Sequence, residues 1–223
     1  TTRQPGSTFK ILASYSAALD AGGLTLASVQ DDAPYTYAGA NGKSVSNYDK
    51  RYRGFTTLRE AITDSINIVT VKTLAQVGVS LGWQYVQEYG FTTVDSRDMN
   101  EALALGGITQ GVSNLELTAA YAAIANQGTY IKPKFYTKIL DHDGNVLIDN
   151  TTPESHTVIK DTTAWLLTSA MEDVMTSGTG TSAYFGSSMA QAGKSGTTTS
   201  SRDALFAGYT PYYTCAVWGG YDD

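Results

Sequence analysis

The sequence of 223 residues contains one cysteine, Cys215, and two histidines, His142 and His156. A lone cysteine makes no internal disulfide. Cys215 lies in the apolar stretch from Tyr213 to Trp218 with no base nearby, which predicts a small buried packing residue rather than a nucleophile. The histidines sit far apart in polar segments and read as solvent-facing turn residues. Distance in sequence leaves a Ser-His-Asp triad open, but no Cys/His cluster has zinc-like spacing, so neither metal nor cofactor is expected. Basic residues are also short: 15 against 21 acidic ones, a net charge of -6. With no basic stripe, nucleic acid is not an expected partner. No apolar run is long enough to span a bilayer, and no signal peptide is recognisable. What is present is a globular balance, 42% hydrophobic and 16% charged, which argues against disorder and suffices for one domain with a buried core.

Along the chain, Ser7 to Ala21 has good helix formers and helical apolar spacing, opened by the turn Pro5-Gly6 and closed by Gly22-Gly23. Residues 24 to 54, rich in Tyr, Asp, Asn and Gly, read as irregular. Thr57 and Glu60 have capping-box spacing for a second helix. Asp64 to Asn67 interrupts it, and a third helix is expected from Ile68 to about Gln76, closed by Gly78. Gly82 to Tyr89 predicts another helix. Ser113 and Glu116 open a helix from Leu115 to Asn126, and Asp161 to Met175 is expected to be helical. Tyr136–Asp141 and Asn145–Asp149 predict a hairpin turning at Asp143-Gly144. Gly178 to Ser188 reads as a loop. Three strands, Gln191–Thr197, Ala204–Tyr209 and Tyr213–Tyr221, end the chain as an antiparallel meander. The expected class is α+β, an antiparallel sheet faced by helices.

Three polar signals carry chemistry. In Ser7-Thr8-Phe9-Lys10, serine and lysine share a helix face. A serine hydroxyl needs a base to become a nucleophile, and a lysine whose pKa is lowered by burial can serve. In Ser65-Ile66-Asn67, a hydroxyl and an amide converge where a helix is broken. Ser65 would relay a proton, and Asn67 would hold Lys10. Lys194-Ser195-Gly196-Thr197 lies on a strand whose glycines allow a ligand backbone to approach. Its lysine and hydroxyls suit a carboxylate, and the N–H groups of Thr197 and Ser7 would form an oxyanion hole. Each signal alone has a plain structural explanation: a capping serine beside a solvated lysine, a polar helix corner, a Ser/Thr-rich hairpin tip. Their joint order and placement resembles the S-x-x-K, S-x-N and K-[ST]-G triple of penicillin-binding proteins and serine β-lactamases.

The chain as a whole resembles the transpeptidase domain of class A, bifunctional penicillin-binding proteins. Arg3 to Lys10 is similar to the class A nucleophile motif. Leu103 to Gly107, Ser113 to Glu116, Asn126 to Tyr130 and Lys132-Pro133 resemble the middle region, and Lys194 to Pro211 the closing sheet. The resemblance implies a D,D-transpeptidase acting on peptidoglycan stem peptides. Ser7 would attack between the terminal D-alanines, with Lys10 as base and Ser65 as shuttle. Lys194, Ser195, Gly196, Thr197 and Thr199 would bind the substrate end. β-Lactam antibiotics would acylate Ser7. It also implies a glycosyltransferase domain and a membrane anchor elsewhere in the protein, and a place on the extracytoplasmic face of the bacterial cell membrane. Ser195 stands where class A usually has threonine, which keeps the hydroxyl. The family fold has further strands and a helix before the nucleophile and a helix after the last strand, so residues 1–223 are expected to form a partial domain with an exposed sheet edge or apolar face. Hydrolysis is the alternative, by a β-lactamase or a D,D-carboxypeptidase. No glutamate is followed by the Leu-Asn spacing of class A β-lactamases, and Asn67 departs from class D. A non-catalytic β-lactam receptor is a further alternative. Tyr35, Tyr37 and Tyr48 are candidates to line the cleft.

Overall fold

The computed structural model describes residues 1–38, 43–198 and 201–221. The chain opens with a 3-10 turn, Gly6–Thr8, that runs into a buried helix. That helix is not regular. Ile11–Tyr15 is wound as a π-helix before an α-helical end, α1 (Ser16–Asp20). Ser14 Oγ donates to Thr70 O at 2.9 Å, Tyr15 OH meets Thr70 Oγ1 at 2.8 Å, and Ser16 Oγ donates to Ile11 O at 2.9 Å, so side-chain bonds anchor the widened turn. Such π segments recur at functional sites.

The region expected to be irregular contains short strands instead: β1 (Val29–Asp32), β2 (Tyr35–Thr36), β3 (Ser44–Val45) and β4 (Gly54–Thr57). They pair as two antiparallel ribbons, β1 with β4 and β2 with β3. β1 and β4 are distant in sequence, and all four segments are too short to show a period of two. Thr57 and Glu60 form the expected reciprocal capping box at the start of α2 (Leu58–Thr63). Next come α3 (Asn67–Val77) and α4 (Val79–Glu88), separated by Gly78 at φ +100°. That single residue ends one helix and opens the next, so α4 starts three residues before the expected Gly82. A 3-10 helix, Glu101–Leu105, leads to α5 (Asn114–Ala125), which carries the second capping box, Ser113 with Glu116.

β5 (Thr129–Ile131) pairs with β8 (Ser155–Thr157), a ribbon not foreseen. It encloses the expected hairpin of β6 (Lys138–Leu140) and β7 (Val146–Asp149). His156 therefore lies on β8 rather than in a turn, with its Nε2 2.8 Å from Glu88 O. After α6 (Asp161–Thr176) the expected loop contains one 3-10 turn, Thr181–Ala183.

The closing meander is as expected: β9 (Ala192–Thr197), β10 (Asp203–Tyr209) and β11 (Thr214–Gly220) in spatial order β11-β10-β9. Helix α6 packs on β9, and α5 packs on β10 and β11. Leu205, Ala207 and Tyr209 point into the core. Cys215 is exposed, contrary to expectation. Side chains alternate across a strand, and Ala216 and Trp218 take the core side, leaving Cys215 and Val217 outward. The architecture is α+β, with helices and an antiparallel sheet sharing one core around the buried helix that follows Ser7.

Candidate active site

The segment before Ser7 is stitched to the middle of the chain. Arg3 and Val112 exchange backbone hydrogen bonds at 2.9 and 2.8 Å, and Ile108 N donates to Gln4 Oε1 at 2.9 Å. The turn that follows is clamped from several sides. Thr8 Oγ1 donates to Pro5 O, and the buried Tyr121 OH donates to Thr8 O, both at 2.7 Å. A methyl group at Gly196 would sit 2.8 Å from Pro5 O, and one at Gly106 would sit 2.5 Å from Gly6 O. Strand β9 and the 3-10 helix thus approach the turn as closely as backbone allows. Ser7 emerges half-buried in a cleft of about 640 Å³, lined also by Tyr37, Ser46, Asn67, Gly106 and Thr197.

Behind Ser7 lies the helix corner. α2 ends at Asp64, Ser65 adopts φ +56°, and α3 begins at Asn67. A left-handed conformation is uncommon for a residue with a Cβ and costs on the order of 1 kcal/mol. Here it sets the Ser65 hydroxyl between two amines. Ser65 Oγ is 3.1 Å from Lys10 Nζ and 2.8 Å from Lys194 Nζ. Lys10 also donates to Ser65 O and to Asn67 Oδ1, each at 2.6 Å. Lys194 donates to Ser195 O at 2.9 Å. Asn67 Nδ2 donates to Ser46 O at 2.7 Å.

Both lysines are fully buried, and among the described residues neither has a carboxylate partner. Burying an unpaired ammonium is costly, so the neutral amine is favoured. Burial, and then the charge of Lys194, push Lys10 well below the usual lysine range. Burial lowers Lys194 to about 7. A neutral amine beside a serine-lined cleft is a base available near neutral pH.

Of the residues expected from sequence, Lys10, Ser65, Asn67 and Lys194 meet directly, and Ser7 and Thr197 face the same cleft. Gly196 backs the turn that carries Ser7. Ser195 donates its hydroxyl to Thr179 Oγ1 at 3.0 Å. Thr199 lies outside the described residues. Of the three candidate tyrosines, Tyr37 lines the cleft. Tyr35 instead donates to Glu101, and Tyr48 borders a separate pocket beside Asp64. Thr179 and Tyr121 were not foreseen. Each reaches the site from a distant element; Thr179 belongs to no motif, and Tyr121, in the stretch Ala120-Tyr121-Ala122 that resembles the family's middle helical region, had no site role assigned. Among the described residues no group of three or more His, Cys, Asp or Glu side chains could hold a metal.

The family model described as penicillin binding protein transpeptidase domain matches residues 1–219. The chain belongs to that family. Penicillin-binding protein 1F of Bacillus subtilis is 40% identical to this transpeptidase domain over 226 residues, covering 99% of the chain and 30% of that protein. The chain thus spans about a third of that relative. The crystal structure of penicillin-binding protein 1A from Haemophilus influenzae superposes with a TM-score of 0.88 at 27% identity, over 100% of this chain and 38% of that one. PonA1 of Mycobacterium tuberculosis in complex with penicillin V gives 0.83 at 25% identity, over 98% of this chain and 60% of that one. Among the described residues no helix is long and apolar enough to cross a membrane.

Proposed function

We propose that this transpeptidase domain cross-links peptidoglycan by D,D-transpeptidation through an acyl-enzyme on Ser7. The observation that carries the reading is the pair of buried, carboxylate-free amines, Lys10 and Lys194, joined through Ser65 Oγ behind the serine-lined cleft.

Neutral Lys10 takes the Ser7 proton as Oγ bonds to the carbonyl carbon between two D-alanines of a stem peptide. The N–H groups of Ser7 and Thr197 hold the developing oxyanion. The C–N bond then breaks, and the departing D-alanine amine receives a proton passed through Ser65. An acceptor amine from a neighbouring stem peptide attacks the ester and gives up a proton. The C–O bond breaks and Ser7 is reprotonated. Thr197, which faces the cleft, and Thr199 receive the terminal carboxylate, with Lys194, Ser195 and Gly196 of the same segment supporting them from behind. In a β-lactam the broken C–N bond is in a ring, so the amine stays tethered in the cleft and the ester persists. As the class A resemblance implies, the domain works on the extracytoplasmic face of the membrane, beside a glycosyltransferase domain and with a membrane anchor in the longer protein.

Incubation with a fluorescent penicillin, followed by intact mass over hours, tests the reading. One adduct that persists for hours and is absent in Ser7→Ala is expected. An adduct that clears in seconds would replace transpeptidation by hydrolysis, and an adduct retained in Ser7→Ala would remove Ser7 as nucleophile.

A further inference from the structure

Helix α3 begins without a cap of its own. Its N-cap residue, Ile66, has no side-chain acceptor to offer, although Asn67 and Ile68 there present free N–H groups. The acceptor comes from Asn47, twenty residues earlier. Asn47 Oδ1 receives the N–H of Asn67 at 3.0 Å and of Ile68 at 3.2 Å. Its Nδ2 donates to both oxygens of Asp32, at 2.8 and 3.0 Å, and to Arg51 O at 2.8 Å. Asn47 is 3% exposed and Asp32 is 0% exposed. The orientation of this amide is chemically determined. A carboxylate and a carbonyl only accept, and backbone N–H groups only donate, so one rotamer satisfies all five contacts and its flip satisfies none. Asp32 is itself held by Arg53, whose backbone N–H donates at 2.9 Å.

The neighbouring residue settles the other half of the motif. Ser46 O accepts from Asn67 Nδ2 at 2.7 Å. A carbonyl cannot donate, so the Asn67 amide turns its Oδ1 towards Lys10, where it accepts at 2.6 Å. The dipeptide Ser46-Asn47 therefore fixes Asn67 twice, at the main chain through the side chain of Asn47 and at the side chain through the main chain of Ser46.

We propose that Asn47, locked by the buried carboxylate of Asp32, is a positioning residue for the acylation step: it holds the Ser65–Asn67 corner in the register that presents Ser65 Oγ and Asn67 Oδ1 to Lys10. The assignment rests on Lys10 acting as the base. It goes beyond the motif residues because Asn47 touches neither Lys10 nor the cleft residue Ser7. In Asn47→Ala the two N–H groups lose their acceptor and the corner is free to turn. Asn67 then no longer reliably accepts from Lys10. Losing an acceptor that favours the ammonium lowers the pH at which Lys10 becomes neutral, Lys194 being the charged group that also acts on it.

The test measures the second-order rate of acylation by a fluorescent penicillin across pH 5 to 9, with melting temperature, for the 223-residue chain and two variants. Ser113→Ala, which removes the side-chain cap of α5, is the stability control. Expected for Asn47→Ala is at least a tenfold slower acylation and an acidic limb moved to lower pH, while Ser113→Ala acylates as the parent does once scaled by its folded fraction. A parental rate and limb in Asn47→Ala would overturn the assignment, as would a loss of equal size in Ser113→Ala. A parent that takes no adduct at Ser7 would overturn the functional reading itself, and the assignment with it.

Discussion

Two sets of lysines divide the molecule. Lys132 and Lys138, around the β6–β7 hairpin, are exposed and paired with acids, at 3.0 Å to Glu154 and 3.5 Å to Asp149. Lys10 and Lys194 are 0% exposed and face hydroxyl, amide and carbonyl oxygens instead of carboxylates. On the hairpin, water already solvates the ammonium, so a partner adds little. In the buried seam the amine is shut off from solvent, and with no carboxylate beside it among the described residues the proton is easily given up. Residue type is the same in both places; burial without a carboxylate turns lysine from a surface cation into a base.

The sharpest way to break this contrast is to restore the charge. Lys10→Arg keeps a cationic hydrogen-bond donor on a somewhat longer side chain, and a guanidinium does not deprotonate in a protein. Acylation by a penicillin, read by stopped flow, is expected to fall by roughly 10²- to 10⁴-fold, the range that general-base catalysis supplies. An acylation rate within threefold of the parent would show that Lys10 is not the base.

The second prediction concerns stability. Lys194 has a folded-state pKa of about 7 against 10.5 for a free lysine. Between those values the unfolded chain holds a proton that the native chain lacks, so stability rises with pH across that window. Below about 7 the native chain must take up the proton too, and the full penalty, on the order of a few kcal/mol, applies. Lys194→Met removes the buried amine at similar volume. Its melting temperature is expected to exceed the parent's most at pH 6 to 7, with the gap closing by pH 10. A gap that does not change with pH would mean that the amine is charged in the fold. The smallest effect is expected on the other side of the comparison. Lys138→Ala should change unfolding free energy by less than about 0.5 kcal/mol and leave acylation untouched.

The contrast also explains what could be read from the sequence. Thr57 with Glu60 and Ser113 with Glu116 are caps completed within four residues, so spacing alone located both helix starts. The seam was legible because its parts are short motifs of chemically distinctive residues, and the closing meander because its strands are long and consecutive. Asn47 was not legible. It caps α3 from twenty residues away, and an asparagine in a Tyr/Asp-rich stretch resembles any turn residue. The β1–β4 and β5–β8 ribbons were hidden for a similar reason, since pairing between short distant segments leaves no local period. Cys215 was misplaced because apolar neighbours do not reveal which side of a strand a residue takes. The left-handed turn at Ser65 leaves no trace in residue type, because serine is no more at ease there than most residues.

The two bare positions beside the nucleophile turn have one more consequence. At Gly196 and Gly106 the clearance is smaller than a methyl group. Under the proposed function, a lineage pressed by an antibiotic would have no room to manoeuvre at this junction, because any side chain there would displace the turn that carries Ser7, for substrate and drug alike. On that reading, variation that tells the two apart would fall on the cleft wall, at residues such as Tyr37, Gln110 and Thr198, which line the cavity.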